Sequence, residues 1–113
     1  MASNENISVK MLKGDRHAIA EGLISSSTYI RLYALQWAAY YSVLNPAIIS
    51  QIMELKTDNS VDMGYTVSDF AIAALDILGV EKYRGQDKDL INLINNFVFP
   101  ENKVNEMIAA LGR

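Results

Sequence analysis

The chain has 113 residues, 50% of them hydrophobic and 20% charged, with ten basic and thirteen acidic side chains and no cysteine. This length supports one domain, and the apolar content excludes wholesale disorder. The absence of cysteine excludes disulfides, thiolate zinc sites and cysteine nucleophiles. The formal net charge of −3 argues against a general nucleic-acid binder, which would carry a basic face.

The first part of the chain is polar, and we expect residues 1–6 to fray. It lacks the apolar core of a secretory signal, which predicts a cytoplasmic protein. The longest apolar stretch, 29–44, is interrupted by Arg31 and Gln36 and is shorter than the about 20 residues that span a bilayer. We therefore expect no membrane association.

Helical signals dominate the first half of the chain. Residues 7–13 fit either a short helix or an extended lead-in. Asp15 is a candidate N-cap for a helix that ends at the serine run 25–27, and this run offers caps for the next helix, 29–44. Asn45-Pro46 ends that helix, because proline disfavours helical geometry in the preceding residue and suits the first turn of a new helix.

The second half continues the same pattern. A third helix is predicted over 46–57, followed by a long polar loop, 57–65. Thr66 is a candidate cap for a fourth helix that ends near Gly79. Two further helices are predicted before and after Pro100, and strand-type alternation is absent apart from an ambiguous run at 96–99. The class predicted is all-α.

A shift of 37 residues aligns three of these helices. The apolar positions that coincide are Ile30/Val67/Val104, Tyr33/Phe70/Met107, Ala34/Ala71/Ile108, Leu35/Ile72/Ala109 and Trp37/Ala74/Leu111. The position held by Leu32, Asp69 and Glu106 is predicted to lie outside the core. Because each aligned helix has a partner upstream, we expect one domain over 1–113 built from three helical hairpins, at roughly 15–44, 46–80 and 87–112.

The residues 67–75, VSDFAIAAL, followed by Leu78-Gly79, resemble the second helix of a HEAT-type repeat, of the armadillo-like class. Ile30-Arg31 with Ala34 and Ala38 resembles the same helix. The resemblance implies a short right-handed α-solenoid, whose concave side often binds peptides or proteins. The alternative is a compact helical bundle without a repeat.

Catalytic and metal-binding patterns are missing from the sequence. His17 is the single histidine, and there is no phosphate-binding loop, nucleophile elbow or HExxH motif. The loop that starts at Asp58 begins like a calcium loop, but Met63 stands where a glycine is needed and Asp69 where a glutamate is usual. We therefore expect no catalytic residue, no metal and no cofactor, and a protein that is not an enzyme.

Tyr29, Tyr33, Gln36 and Tyr40 recur at helical spacing and form one stripe, flanked by Trp37 and Tyr41. Such a stripe is either part of the core or the rim of a partner surface, because tyrosine hydroxyls need a hydrogen-bonding environment. A groove around Tyr33, Trp37 and Tyr40 would be the place for the alternative function, small-molecule binding or enzymatic activity.

The repeat also predicts an outward face on the second helices of the hairpins. Its members would be Arg31, Gln36, Asp69, Ala73, Asp76, Asn105 and Glu106. This face would be mildly acidic and would match a basic partner. Together with the stripe it gives the candidate partner-binding residues Tyr29, Arg31, Gln36, Tyr40, Asp69, Asp76 and Glu106.

The sequence therefore favours a non-enzymatic protein–protein interaction module, of the inhibitor, immunity or adaptor kind. Nucleic-acid binding through Lys10, Lys13, Arg16 and Arg84 is a weaker hypothesis, because the basic residues are spread along an acidic chain. No nucleic-acid partner is expected. The sequence leaves open the oligomeric state and which layer of helices is concave.

Overall fold

Six helices and one short two-stranded ribbon make up the part of the chain that the computed structural model describes, residues 4–62 and 64–97. In chain order the elements are α1 (Asn4–Leu12), α2 (Arg16–Leu23), α3 (Thr28–Tyr40), α4 (Pro46–Leu55), β1 (Val61–Asp62), β2 (Tyr65–Thr66), α5 (Val67–Ile77) and α6 (Lys88–Asn95). The predicted all-α class is confirmed, and the segment 7–13 belongs to a helix. The helix predicted after Pro100 lies outside the described residues.

Side-chain caps explain where the helices begin. The Asp15 carboxylate accepts a hydrogen bond from the Ala18 N–H at 3.1 Å at the start of α2. Ser27, Asn45, Thr66 and Asp87 cap α3, α4, α5 and α6 in the same way, and Pro46 occupies the first turn of α4. Such acceptors satisfy N–H groups that have no partner within the helix. The capping residues predicted from the sequence are confirmed.

The end of α3 comes earlier than predicted. The helix stops at Tyr40 because Ser42 adopts a left-handed conformation with φ of 52°. The Val43 N–H then bonds to the Ala38 carbonyl at 3.0 Å, and the Ser42 N–H to the Ala39 carbonyl at 3.2 Å. This is a Schellman-type ending, which usually uses glycine. Serine at this position gave no signal in the sequence.

The segment predicted as a polar loop, 57–65, contains part of a β-ribbon. Strands β1 and β2 pair antiparallel, with Val61 opposite Thr66. Gly64 lies in the turn with φ of 82°, a conformation that glycine adopts without steric cost. The expectation that this segment holds no strand was wrong, because strands of two residues are too short to show alternation.

α3 is the central helix of the described fold. It packs against α1, α2 and α5, while α2 also contacts α4, α4 contacts α5, and α5 contacts α6. The buried residues of α3 are Ile30, Leu32, Tyr33, Ala34, Leu35, Trp37, Ala38 and Ala39. The Cα radius of gyration is 13.4 Å, which is in the range of a compact domain, about 13 Å for 100 residues. The apolar stretch 29–44 thus supplies the middle layer, as predicted.

The 37-residue repeat predicts the shared core positions of α3 and α5 but not their outward sides. The pairs Ile30/Val67, Tyr33/Phe70, Ala34/Ala71 and Trp37/Ala74 are buried in both helices. Leu32 and Ala73, both predicted to lie outside the core, are fully buried as well. The two helices differ because their neighbours differ: α1 and α2 lie beside α3, whereas α4 and α6 lie beside α5.

Two of the predicted hairpins correspond to packed helix pairs, α2 with α3 and α4 with α5. The first helices of these pairs, α2 and α4, contact each other, and so do the second helices, α3 and α5. Within 4–62 and 64–97, no helix is both long and apolar enough to cross a membrane.

Candidate functional site

α3 presents one partly exposed line of side chains, which we call the aromatic stripe: Tyr29, Tyr33, Gln36 and Tyr40. Tyr29 is 42% exposed, Gln36 and Tyr40 are half-buried, and Tyr33 is 9% exposed. Residues spaced by three or four positions lie along one side of a helix, so these four follow one another along α3. The sequence left open whether the stripe belongs to the core or to the surface. Tyr33 belongs to the core, whereas Tyr29, Gln36 and Tyr40 are at least partly exposed.

Ring contacts fix the side chains of the aromatic stripe. The Tyr29 and Tyr33 rings stack with centroids 5.7 Å apart and planes inclined by 16°. Trp37, which is fully buried, meets the Tyr33 ring edge-on at 5.6 Å and the Tyr40 ring edge-on at 5.5 Å. Each such pair contributes about 0.5–1.5 kcal/mol beyond the area it buries. The exposed tyrosines thus rest on a rigid base.

The phenol groups of Tyr33 and Tyr41 remain neutral at physiological pH. Burial raises the pKa of Tyr33 above its ordinary value of 10.0, a hydrogen bond with Trp37 opposes the rise, and Tyr29 adds to it. Burial also raises the pKa of Tyr41, which directly follows α3, and the neighbouring Tyr40 raises it further. The hydroxyl groups can therefore take part in hydrogen bonds without carrying charge.

Arg31 does not lie on the predicted outward face. Its Nε is 3.1 Å from Asp58 Oδ2, its Nη1 donates to the Ser25 carbonyl at 2.7 Å, and its Nη2 donates to Thr28 Oγ1 at 3.3 Å. The Arg31 side chain is only 13% exposed. Two hydrogen bonds and one ion pair hold the Arg31 side chain within the fold, while its contact with a partner stays a prediction.

Asp58 is the acidic partner of Arg31 in this ion pair. Its Oδ1 accepts a hydrogen bond from the Ser60 N–H at 3.0 Å, and its carbonyl accepts one from the Ser68 N–H at 2.7 Å. Burial by itself would raise the pKa of Asp58, but the hydrogen bonds from Ser60 and the Arg31 guanidinium outweigh it and lower the pKa. The pair joins the start of α3 to the loop before α5.

Asp69 and Asp76 are the predicted partner-binding residues of α5, and Asp76 already has partners within the chain. Asp76 Oδ2 accepts a hydrogen bond from the Tyr83 N–H at 2.8 Å, and its Oδ1 lies 3.3 Å from Lys82 Nζ. Asp76 therefore holds the segment that follows α5. Asp69 is half-buried in the first turn of α5. Since Ala73 is buried and Arg31 points inward, the predicted outward face is not continuous, and its remaining members, Asn105 and Glu106, lie outside the described residues.

Metal ligands do not gather within the described ranges: no group of three or more His, Asp or Glu side chains there is placed to hold an ion. Asp58, the first residue of the calcium-like loop, is engaged with Arg31 and Ser60 instead. His17 is exposed on the first turn of α2.

The sequence places Tyr41 beside the stripe and Asp58 at the start of the polar loop, but it does not predict the distant partners of these two residues, Leu12 and Arg31. The Tyr41 hydroxyl donates a hydrogen bond to the Leu12 carbonyl, and the Tyr41 ring packs at 5.0 Å from that of Tyr40. Both residues act through partners that are distant in the chain, and no local spacing reports such pairs. A glycine directly before a helix cap, Gly14, was the available sign of a constrained turn near Tyr41.

Basic side chains cluster at the turn that Tyr41 contacts. We call Lys10, Lys13 and Arg16, all exposed at the junction of α1 and α2, the basic corner. Arg84, the fourth residue of the nucleic-acid hypothesis, lies on a different segment, between α5 and α6. The four cations therefore do not all belong to one turn.

Comparison with family models, curated proteins and solved structures found no match to this chain. The two candidate surfaces of the described residues are the aromatic stripe and the basic corner.

Proposed function

We propose that this protein is a non-enzymatic protein-interaction module and that the aromatic stripe is its binding surface. The observation that carries the proposal is the stack of Tyr29 on Tyr33 above the buried Trp37. Tyrosine provides large contact area and a hydroxyl group at a small cost in side-chain entropy, which is why it is enriched at protein interfaces. Rings that are already fixed lose little further freedom on binding.

We further propose that the scaffold is a short right-handed HEAT-like α-solenoid. The contacts of α2 with α4 and of α3 with α5 support it, because stacked hairpins bring first helices onto first helices and second helices onto second helices. This support extends over two hairpins: α6, which would begin the third, contacts α5, and residues 98–112 lie outside the described residues. A small module of this kind suits an inhibitor, an immunity-type protein or an adaptor subunit.

The alternative, a small-molecule or catalytic groove around Tyr33, Trp37 and Tyr40, has less support. Trp37 is fully buried and Tyr33 nearly so, and a ligand that reached the indole would have to displace core side chains. A protein surface needs only the exposed edges of the tyrosines.

The test is affinity capture from the native host with three baits: the unaltered chain, the double variant Tyr29→Ala/Tyr40→Ala, and the control Tyr65→Ala. Tyr65 matches Tyr29 in residue type and exposure, 46% against 42%, but lies on β2. We expect a stoichiometric protein with the unaltered chain and with the control, and its loss with the double variant. Equal recovery by all three baits, or no stoichiometric protein at all, would refute the proposal.

A further inference from the structure

The basic corner is a local excess of positive charge on an acidic protein. Lys10, Lys13 and Arg16 are exposed, and none of them forms an ion pair with another described residue. Asp15, the acid within the same turn, caps α2 and contributes a formal charge of −1, which leaves +2 for the turn. The formal charge of the whole chain is −3, so this corner has the opposite sign to the molecule that carries it.

Hydrogen bonds and ring packing hold the corner in one shape. The N–H groups of Lys13 and Asp15 both bond to the Lys10 carbonyl, at 3.2 and 3.0 Å. Gly14 adopts φ of 82°, and a Cβ placed on it would lie 3.4 Å from the Tyr41 ring. Because the Tyr41 hydroxyl also bonds to the Leu12 carbonyl, the corner is anchored to the C-terminal end of α3.

Helix dipoles account for only two of these cations, because Lys10 and Lys13 lie at the C-terminal end of α1, where positive charge is favourable. Arg16 lies in the first turn of α2, where the helix dipole disfavours positive charge. Like charges within one turn also repel each other. An anionic ligand would relieve both effects.

We propose that the basic corner binds an acidic segment of a protein partner and forms the charged end of the surface that begins with the aromatic stripe. That the partner is a protein is taken from the proposed function, on which this inference rests. Tyr41 connects the basic corner with the aromatic stripe. Its ring contacts that of Tyr40, and its hydroxyl bonds to the carbonyl of Leu12, the last residue of α1.

The charge of the molecule favours a short acidic segment over a nucleic acid or an anionic membrane. An extended polyanion would pass from the corner over the rest of an acidic surface and be repelled by it. A few Asp or Glu side chains would meet only the local positive field, because charges beyond about 8–10 Å are screened at physiological salt.

The test measures binding of a fluorescent hexaglutamate peptide to the full chain at physiological ionic strength, about 0.15 M, where charges beyond about 8 Å are screened. The variant is Lys10→Gln/Lys13→Gln, and the matched control is Arg84→Gln/Lys88→Gln, which removes the same charge from exposed residues elsewhere. We expect the variant to weaken the peptide's Kd about tenfold and the control to leave it nearly unchanged. A single-stranded oligonucleotide and phosphatidylserine vesicles are titrated in parallel.

Absence of peptide binding, or equal weakening by the variant and the control, would overturn the inference. So would tighter binding of the oligonucleotide or the vesicles than of the peptide. The Tyr29→Ala/Tyr40→Ala variant separates the two proposals. If it captures the same protein as the unaltered chain while Lys10→Gln/Lys13→Gln weakens peptide binding about tenfold, the stripe fails and the basic corner stands.

Discussion

Arg31 Nε lies 3.1 Å from Asp58 Oδ2, and this contact joins α3 to the loop that links α4 with α5. Arg31 also donates to Ser25 in the turn before α3. One side chain thereby ties together the two packed helix pairs, α2 with α3 and α4 with α5. The position of the aromatic stripe relative to the second pair depends on this contact.

Removing Arg31 should destabilise the fold measurably. Arg31→Met leaves three acceptors without their donor, and hydrogen bonds to charged groups contribute about 1.5–3 kcal/mol each when buried, less when partly exposed as here. We expect a loss of about 1–3 kcal/mol in urea unfolding. A double-mutant cycle with Asp58→Asn should give a coupling energy of at least about 0.5 kcal/mol. Lys82→Met is the control, because the ion pair of Lys82 with Asp76 is more exposed. It should lower the free energy of unfolding by less than Arg31→Met does.

The same pair makes stability depend on pH in the acid range. The pKa of Asp58 is lower in the folded chain than its ordinary value of 3.8, so the unfolded chain binds the proton more readily. The contribution of Asp58 is therefore fully present above pH 3.8 and is lost as the pH falls through the lower, folded pKa. Urea unfolding between pH 6 and pH 3 should show a steeper loss for the unaltered chain than for Asp58→Asn. Parallel curves would contradict this assignment.

Tyr41→Phe tests the link between the basic corner and α3. The substitution keeps the ring contact with Tyr40 and removes the hydrogen bond to the Leu12 carbonyl. We expect a loss of about 0.5–1.5 kcal/mol in thermal or urea unfolding, the net contribution of one hydrogen bond. Amide exchange at residues 12–14 should become faster. Unchanged exchange there would show that the hydroxyl group does not hold the turn.

Gly22→Ala tests the close packing of α2 between α1 and α3. A Cβ at this position would lie 2.7 Å from Met11 Sδ and 2.9 Å from Ala34 Cβ. Although alanine has a higher helix propensity, by about 1 kcal/mol, the clash should dominate and cost about 1–3 kcal/mol. Adding Ala34→Gly should recover part of the loss. An increase in Tm for Gly22→Ala alone would contradict the packing.

The fold was predictable from the sequence wherever local chemistry decides it. Asp15, Asn45 and Thr66 begin helices through bonds to residues two or three positions away, and such caps can be recognised from their own neighbourhood. The periodic apolar residues also identified α3 as the middle layer. These features need no knowledge of what lies across the core.

The candidate site was less predictable because distant contacts decide it. Leu32 was assigned to the outside by analogy with Asp69, but α3 and α5 have different neighbours. The sequence predicts Arg31 on the surface, because its partner Asp58 is 27 residues away in the chain and no local pattern indicates the ion pair. The aromatic stripe alone was recognisable from spacing, because it depends on one helix.

Titration calorimetry with the protein recovered by capture measures whether the aromatic stripe binds that partner. We expect Tyr29→Ala/Tyr40→Ala to weaken Kd about a hundredfold or more, as truncation of aromatic residues at the centre of an interface does, and Tyr65→Ala to change it less than about threefold. All three proteins should have the same circular dichroism spectrum. A Kd for Tyr29→Ala/Tyr40→Ala within threefold of that of the unaltered chain would contradict the account.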